Sequence, residues 1–231
     1  MPPCDEIRGQ TWFVIAAYNE ESVIRSVVTE VRSRYANVIV VDDGSTDGTG
    51  SEAIDAGAIL VAHAVNLGQG AALQTGIIFA LRRHAKYIVT FDADGQHSVK
   101  DVDSMLDVLN TVNCDVVLGS RFYGTTENLP RLRWFTLKAA ILFTRLSTGL
   151  RLTDTHNGLR VMQAEAAKRI QLHQNGMAHA SEFLEQIAEL NLSYTEVAVT
   201  IRYTEYSLKK GQKFSNSLNI LMDLLIERFT K

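Results

Sequence analysis

Two acids stand at the end of an apolar run: Ile88–Phe91 is followed by Asp92, Ala93, Asp94 and Gly95. In an extended segment successive side chains point to opposite faces, so Asp92 and Asp94 share one face. Their hard carboxylate oxygens suit Mg²⁺ or Mn²⁺. Magnesium characteristically takes one or two carboxylates and completes its octahedron with phosphate oxygens and water. Gln96, in the same turn, can lend a further oxygen. The same residues would also make an ordinary surface turn ahead of a helix, and an isolated Asp-x-Asp has little specificity. The odds shift toward function because "DDGSTDG" (42–48) follows a second apolar run in the same way.

Asp42 and Asp43 at such a strand end can accept hydrogen bonds from a ribose hydroxyl or a base N–H; the alternative is an Asx turn, with Gly44 and Gly48 as turn residues. "NLGQGAA" (66–72) resembles a glycine-rich phosphate loop. It lacks the third glycine of the dinucleotide fingerprint and follows the third strand instead of the first, which argues against NAD. No Gly-Lys-Ser/Thr phosphate loop occurs.

The elements that must position these loops are legible from periodicity. Apolar runs at 11–17, 37–41, 58–62, 86–91 and 114–121 read as strands. Between them lie helical stretches. The first shows a stripe of Val23, Val27, Val28 and Val31, with Asn19 as its predicted cap and Glu20 and Glu21 suited to its positive end. Others run over about 46–56, from the glycine loop through "ALRR", and to about Asn110, where Ser98 and Asp101 predict a capping box. Strands alternating with helices, each strand a continuous Val/Ile run, predict an α/β fold with a parallel sheet covered on both faces. The polar clusters "AAYNEE", "DDGSTDG", "DADGQH" and "GSRF" each fall just after a strand. Ligands in open α/β sheets bind beyond the carboxyl ends of the strands, so these four loops predict one site.

The second half differs. Residues 129–152 mix aromatic and aliphatic side chains with Arg131, Arg133, Lys138, Arg145 and Arg151. Either this is a core helix with a solvated basic face, or it lies on an anionic membrane surface. "TEVAVTIRYTEY" (195–206) begins as a strand. The tail places Leu218, Leu221, Met222, Leu225 and Phe229 on one helical face, a pattern of core or dimer contacts, so a homodimer is possible.

Bulk properties narrow the class. The 231 residues suit one ample domain, and a net charge of −3 gives no general argument for nucleic acid. Two distant cysteines, Cys4 and Cys114, fit a reducing compartment. The N-terminal decapeptide lacks the apolar core of a secretory signal, and no run approaches the roughly 18–20 residues of a spanning helix. A cytoplasmic protein is expected, free or on a membrane surface.

Taken in order, "AAYNEE" (16–21), "VVDDGSTDGT" (40–49), "NLGQGAA" (66–72), "FDADGQH" (91–97), "GSR" (119–121) and "DTHNGLR" (154–160) resemble the glycosyltransferase family 2 pattern on the GT-A nucleotide-sugar fold. The resemblance spans nearly the whole chain, and the ordered set is specific although each piece is not. "DADGQH" and "NGLR" are most similar to the branch acting on dolichyl and other polyprenyl phosphates; "YSLKKGQKFSN" (206–216) is similar to a loop of its bacterial members.

The resemblance implies one GT-A domain over 1–231, a Rossmann-like, mostly parallel sheet flanked by helices. Its nucleotide-binding half would be about 10–121 and its acceptor and membrane-surface half about 122–231. It implies nucleotide contacts from Ala16, Tyr18, Glu20, Asp42, Asp43, Asn66, Gly68, Gln69, Asp92 and Ala93, and Mg²⁺ or Mn²⁺ at Asp94, Asp92 and Gln96. Arg121, Arg160, Arg202 and Lys210 would meet diphosphate and acceptor phosphate, a role guanidinium forks suit. The chain departs from many relatives at Gln69, often basic, and at Asn157, often Ser.

The implied reaction is inverting transfer of a hexose-type sugar from a nucleoside-diphosphate sugar to a polyprenyl phosphate such as undecaprenyl or dolichyl phosphate, in cell-envelope glycan or glycoconjugate synthesis. Asp92, Asp94, Asp154 and Arg160 would form the catalytic set, with Asp154 ahead of Glu182 if a carboxylate assists. Attachment would be peripheral, at the inner face of the cytoplasmic membrane, directly or through a small membrane protein. Three alternatives remain: a hydroxyl acceptor on a growing polysaccharide, a non-catalytic nucleotide-sugar-binding protein, and a haloacid dehalogenase-type phosphatase. The last normally carries Asp-x-Asp on its first strand, followed by Thr or Val.

Overall fold

A computed structural model describes residues 4–127, 131–155, 157–203 and 206. The chain begins with α1 (Cys4–Gly9) and β1 (Thr11–Ala17), followed by α2 (Ile24–Arg32), β2 (Asn37–Asp42), α3 (Thr49–Asp55) and β3 (Ile59–Ala62). Next come α4 (Gln69–Arg82), β4 (Tyr87–Thr90), α5 (Val99–Val112), β5 (Val116–Glu127) and α6 (Arg131–Thr148). β6 (Arg160–Gln163), α7 (Ala164–Arg169), α8 (His179–Glu189) and β7 (Tyr194–Arg202) complete the described part. The tail stripe and Lys210 lie outside the described residues.

The seven strands form one sheet in the order β3-β2-β1-β4-β6-β5-β7. All pairings are parallel except those of β6, which runs antiparallel to both β4 and β5. The parallel part accounts for the continuous apolar strands. Within β1, Phe13 and Ile15 point into a layer with α2 and α5, while Val14 points into the opposite layer with α4 and α8. Both faces are covered, so between their end residues β1, β2 and β4 are apolar on both faces. Each large side chain so buried contributes about 1.5–3 kcal/mol.

Three expectations fail for identifiable reasons. α2 starts at Ile24, and its buried stripe is Ile24, Val27, Val28 and Val31, with Val23 only half buried. Asn19 does not cap it. It adopts φ 53°, and its side-chain oxygen accepts the Thr46 N–H at 2.9 Å, tying the β1 loop to the β2 loop. The capping box at α5 is also absent. Ser98 makes no side-chain cap, and the Asp101 carboxylate accepts the Thr200 N–H at 2.7 Å. In both places a contact distant in sequence wins over the local one. The third is the parallel sheet, which β6 interrupts as a four-residue antiparallel strand too short to show a period in the sequence.

Candidate active site

β4 ends at Thr90 in the middle of the sheet, beside the antiparallel β6. The strand delivers Asp92 and Asp94 to its carboxyl end, where the parallel order breaks. Asp92 Oδ2 accepts the His97 Nε2–H at 2.8 Å, and Oδ1 lies 3.4 Å from Gln69 Nε2 at the start of α4. Gly158, just before β6, passes so close that a Cβ there would collide with both Asp92 oxygens. Thr90 Oγ1 fixes this approach by donating to the Gly158 carbonyl at 2.7 Å. Burial pushes the Asp92 carboxyl up, but the His97 hydrogen bond and the Arg160 guanidinium outweigh it, and the group ends below the usual carboxylate range.

Asp94 is treated oppositely. Burial first, and then the neighbouring charge of Asp92, push its carboxyl up to about 6; Glu20 adds to the repulsion. One Asp94 oxygen accepts the Gln96 N–H at 3.1 Å. Crowded acids of this kind are stabilised by a cation. Among the described residues no group of three or more His, Cys, Asp and Glu converges into a protein-only metal cage. Two carboxylates without a cage match the donor set that Mg²⁺ or Mn²⁺ uses when phosphate and water supply the rest. Asp92 and Asp94 therefore fit such an ion, and Gln96 is tied to Asp94 through its backbone N–H.

The loops around this centre are held by other predicted residues. Asp43 is buried and turned inward. It accepts the N–H groups of Leu67 and Gly68 at 3.0 and 2.7 Å and contacts His63 Nδ1 at 2.7 Å, while His63 Nε2 reaches Thr75 Oγ1 at 3.0 Å. Asp43 thus anchors the glycine loop. Gly68, at φ 106°, could not carry a side chain, because a Cβ would strike the Asn175 carbonyl. Asp42 accepts the Ser45 N–H at 3.0 Å, an Asx turn that leaves it half exposed at the end of β2. Ala16 and Ala93 are backbone-lining positions, half buried and buried respectively; Asn66 and Tyr18 are exposed. Glu20 is buried and accepts the Tyr206 hydroxyl at 2.7 Å.

The basic residues divide. Arg160, 3% exposed, lies on the Phe183 ring with its Cζ 4.2 Å from the centroid. Burial pulls its guanidinium down to about 10, against the charges of Asp92 and Asp154. Arg121 is bound to Asp154 and to the Tyr203 hydroxyl, the latter at 2.7 Å. Arg202 is exposed at the end of β7, where its N–H donates to the Gln96 carbonyl at 3.0 Å. Glu182 accepts the N–H groups of His173 and Gln174 at 2.9–3.0 Å and so braces the segment before α8.

Sequence reasoning missed His97, His179, Phe183 and Tyr203. His97 stood beside the acidic motif and its position was the available signal. The others reach the centre only through the packing of α8 and the end of β7. His179, whose Nδ1 lies 2.8 Å from the Gly176 carbonyl, is pulled down to about 4 by burial and then by Arg160.

An α/β sheet with paired acids at the carboxyl end of a central strand, flanked by a buried arginine and a glycine loop, defines a GT-A glycosyltransferase. Residues 12–170 match glycosyl transferase family 2. The chain belongs to that family and is a glycosyltransferase of the hexosyltransferase class. It is 31% identical over 242 residues to the UDP-N-acetylglucosamine–dolichyl-phosphate N-acetylglucosaminyltransferase of Methanococcus voltae, covering 95% of this chain and 96% of that protein. It is 30% identical over 213 residues to the polyprenol monophosphomannose synthase of Mycolicibacterium smegmatis, covering 86% and 79%. Among solved structures, glucosyl-3-phosphoglycerate synthase from Mycobacterium tuberculosis, in complex with Mg²⁺ and uridine diphosphate, aligns with TM-score 0.73 at 20% identity. It covers 97% of this chain and 83% of that one, a likeness of fold.

Proposed function

We propose that this protein transfers a hexose-type sugar from a nucleoside-diphosphate sugar to a polyprenyl phosphate, with inversion at the anomeric carbon. The observation that carries this reading is the Asp92–Asp94 pair at the end of β4 with Arg160 buried behind it. The names of the two curated relatives support the lipid-phosphate acceptor. Asp92, Asp94 and Gln96 would hold Mg²⁺ or Mn²⁺, which when bound supplies Lewis-acid stabilisation to the leaving diphosphate. Residues 10–121 form the donor half, and 122–231 the acceptor half.

The acceptor phosphate oxygen attacks the anomeric carbon as the bond to the donor diphosphate breaks, and the diphosphate departs with the electron pair. A phosphate monoester is already anionic at neutral pH, so no strong base is required. This agrees with the two candidate bases, since Asp154 is committed to Arg121 and Glu182 to the 173–174 backbone. What the reaction needs from the protein is fixed positive charge. The Arg160 guanidinium makes no hydrogen bond among the described residues, leaving its donors for phosphate oxygens. Arg121, Arg202 and Lys210 complete the proposed phosphate set.

The membrane side is proposed at α6. Phe135, Leu142 and Leu146 are 65%, 60% and 76% exposed and fall on one helical stripe, with Lys138 and Arg145 beside it. Exposed apolar residues flanked by cations suit the surface of an anionic bilayer. In this reading attachment is peripheral, at the cytoplasmic face; no helix among the described residues is long and apolar enough to cross a membrane. The test is a screen of nucleotide sugars against undecaprenyl and dolichyl phosphate with Mg²⁺ or Mn²⁺. Transfer of labelled sugar into the organic phase is expected, with loss in Asp94→Ala. Transfer only to hydroxyl acceptors would overturn the proposal.

A further inference from the structure

His97 follows the acidic motif directly, yet its side chain is 3% exposed and turned away from solvent. A carboxylate at neutral pH carries no proton and only accepts, so the 2.8 Å contact is His97 Nε2–H donating to Asp92 Oδ2. The other ring nitrogen, Nδ1, is buried without a partner. The ring is therefore oriented by that one hydrogen bond together with its packing, an edge contact with Phe91 at 5.4 Å between centroids. Its backbone is pinned independently. His97 bridges to Ile201, and the Arg202 N–H donates to the Gln96 carbonyl at 3.0 Å. A buried histidine with its one engaged polar atom aimed at a single carboxylate oxygen is built to set that carboxylate's rotation.

We propose that His97 is a positioning residue for the cation site: by holding Asp92 Oδ2 it fixes the rotation of the carboxylate and leaves Oδ1, which lies 3.4 Å from Gln69 Nε2, as the oxygen for the cation. The inference rests on the reading of Asp92 and Asp94 as divalent-cation ligands. Groups that orient a metal-binding side chain from behind are worth about 10- to 100-fold in metal affinity. Removing the His97 donor should weaken the site by that factor while leaving both carboxylates in place.

The experiment is Mn²⁺ titration of the full-length protein, with free Mn²⁺ followed by electron paramagnetic resonance and folding checked by thermal melting. The variants are His97→Leu, which removes the donor; His97→Gln, which keeps a donor at the Nε2 position; and His97→Asn, whose amide is too short to reach it. The expected result is a dissociation constant raised about tenfold or more in His97→Leu and His97→Asn, and restored to within a few-fold in His97→Gln. If His97→Leu fails to fold, the Gln and Asn variants decide: equal affinity in those two overturns the proposal. Wild-type affinity in a folded His97→Leu also overturns it. A wild-type protein that binds no Mn²⁺ refutes the metal reading itself, and this inference with it.

Discussion

Arg121 and Asp154 form a buried ion pair that closes on itself. Arg121 Nε donates to Asp154 Oδ2 at 2.6 Å, and the Arg121 backbone N–H donates to the same oxygen at 3.1 Å. Asp154 is fully enclosed, and the pair raises the Arg121 guanidinium further despite its burial. Removing one partner strands the other charge in the interior, at a cost of about 3–5 kcal/mol. Asp154→Ala is therefore expected to lower the melting temperature by roughly 10 °C in a chain of this size, read by calorimetry. A variant melting within a degree or two of wild type, yet inactive, would instead favour Asp154 as a base.

Cation binding should depend on pH through Asp94. Its carboxyl sits near 6 in the folded protein against 3.8 ordinarily. With the folded value raised, this group's contribution to stability is full below 3.8 and is lost as pH rises through 6. A cation needs the ionised form. Mn²⁺ affinity should thus climb up to about tenfold per unit as pH rises toward 6, then level off above about 7. Dissociation constants measured at half-unit steps from pH 5 to 8 check this; a flat profile below 6 contradicts it.

His179 predicts the opposite slope for folding. Its folded value of about 4 lies below the ordinary 6.5, because burial and Arg160 disfavour the charged ring. Its contribution to stability is present above 6.5 and is lost as pH falls toward 4, by up to about 3 kcal/mol. Urea unfolding of wild type and His179→Asn between pH 4 and 7 should show the acid sensitivity diminished in the variant.

Gly158→Ala tests the packing behind Asp92. The new Cβ would collide with both carboxylate oxygens, while Gly158 itself lies in a loop between Asn157 and β6. Displacing Asp92 should reduce turnover and Mn²⁺ affinity by at least about tenfold. The expected stability loss is about 1–3 kcal/mol, the usual cost of overpacking. Unchanged Mn²⁺ affinity would mean that Asp92 tolerates the shift.

The α6 surface is checked with vesicles. Replacing Phe135, Leu142 and Leu146 together by Ser should leave the melting temperature within about 2 °C, because exposed positions contribute little to folding. Sedimentation with phosphatidylglycerol vesicles should fall several-fold, and neutral vesicles should bind wild type less than anionic ones. Equal sedimentation of variant and wild type would place the membrane contact elsewhere.

Much of this architecture was legible because its signals are local. Continuous apolar runs marked β1, β2 and β4 nearly to the residue, since strands buried on both faces confine polar side chains to their ends. Asp92 and Asp94 stand together in the turn just past the end of β4 because they are near neighbours in sequence, and the chemistry of two hard oxygens follows from their types alone. What the sequence could not determine is which acids face inward. Asp43 and Asp92 stand in similar strand-end turns, yet Asp43 holds the glycine loop through Leu67 and Gly68 while Asp92 meets His97 and Gln69. Asp154 finds Arg121 across 33 residues, and Arg160 finds Phe183 only because α8 packs under the antiparallel β6. Most of these roles are set by a partner far away in the chain, so they are decided by tertiary packing: Asp43 and Asp154 are enclosed by their partners, whereas Asp94 is left crowded by the acids Asp92 and Glu20.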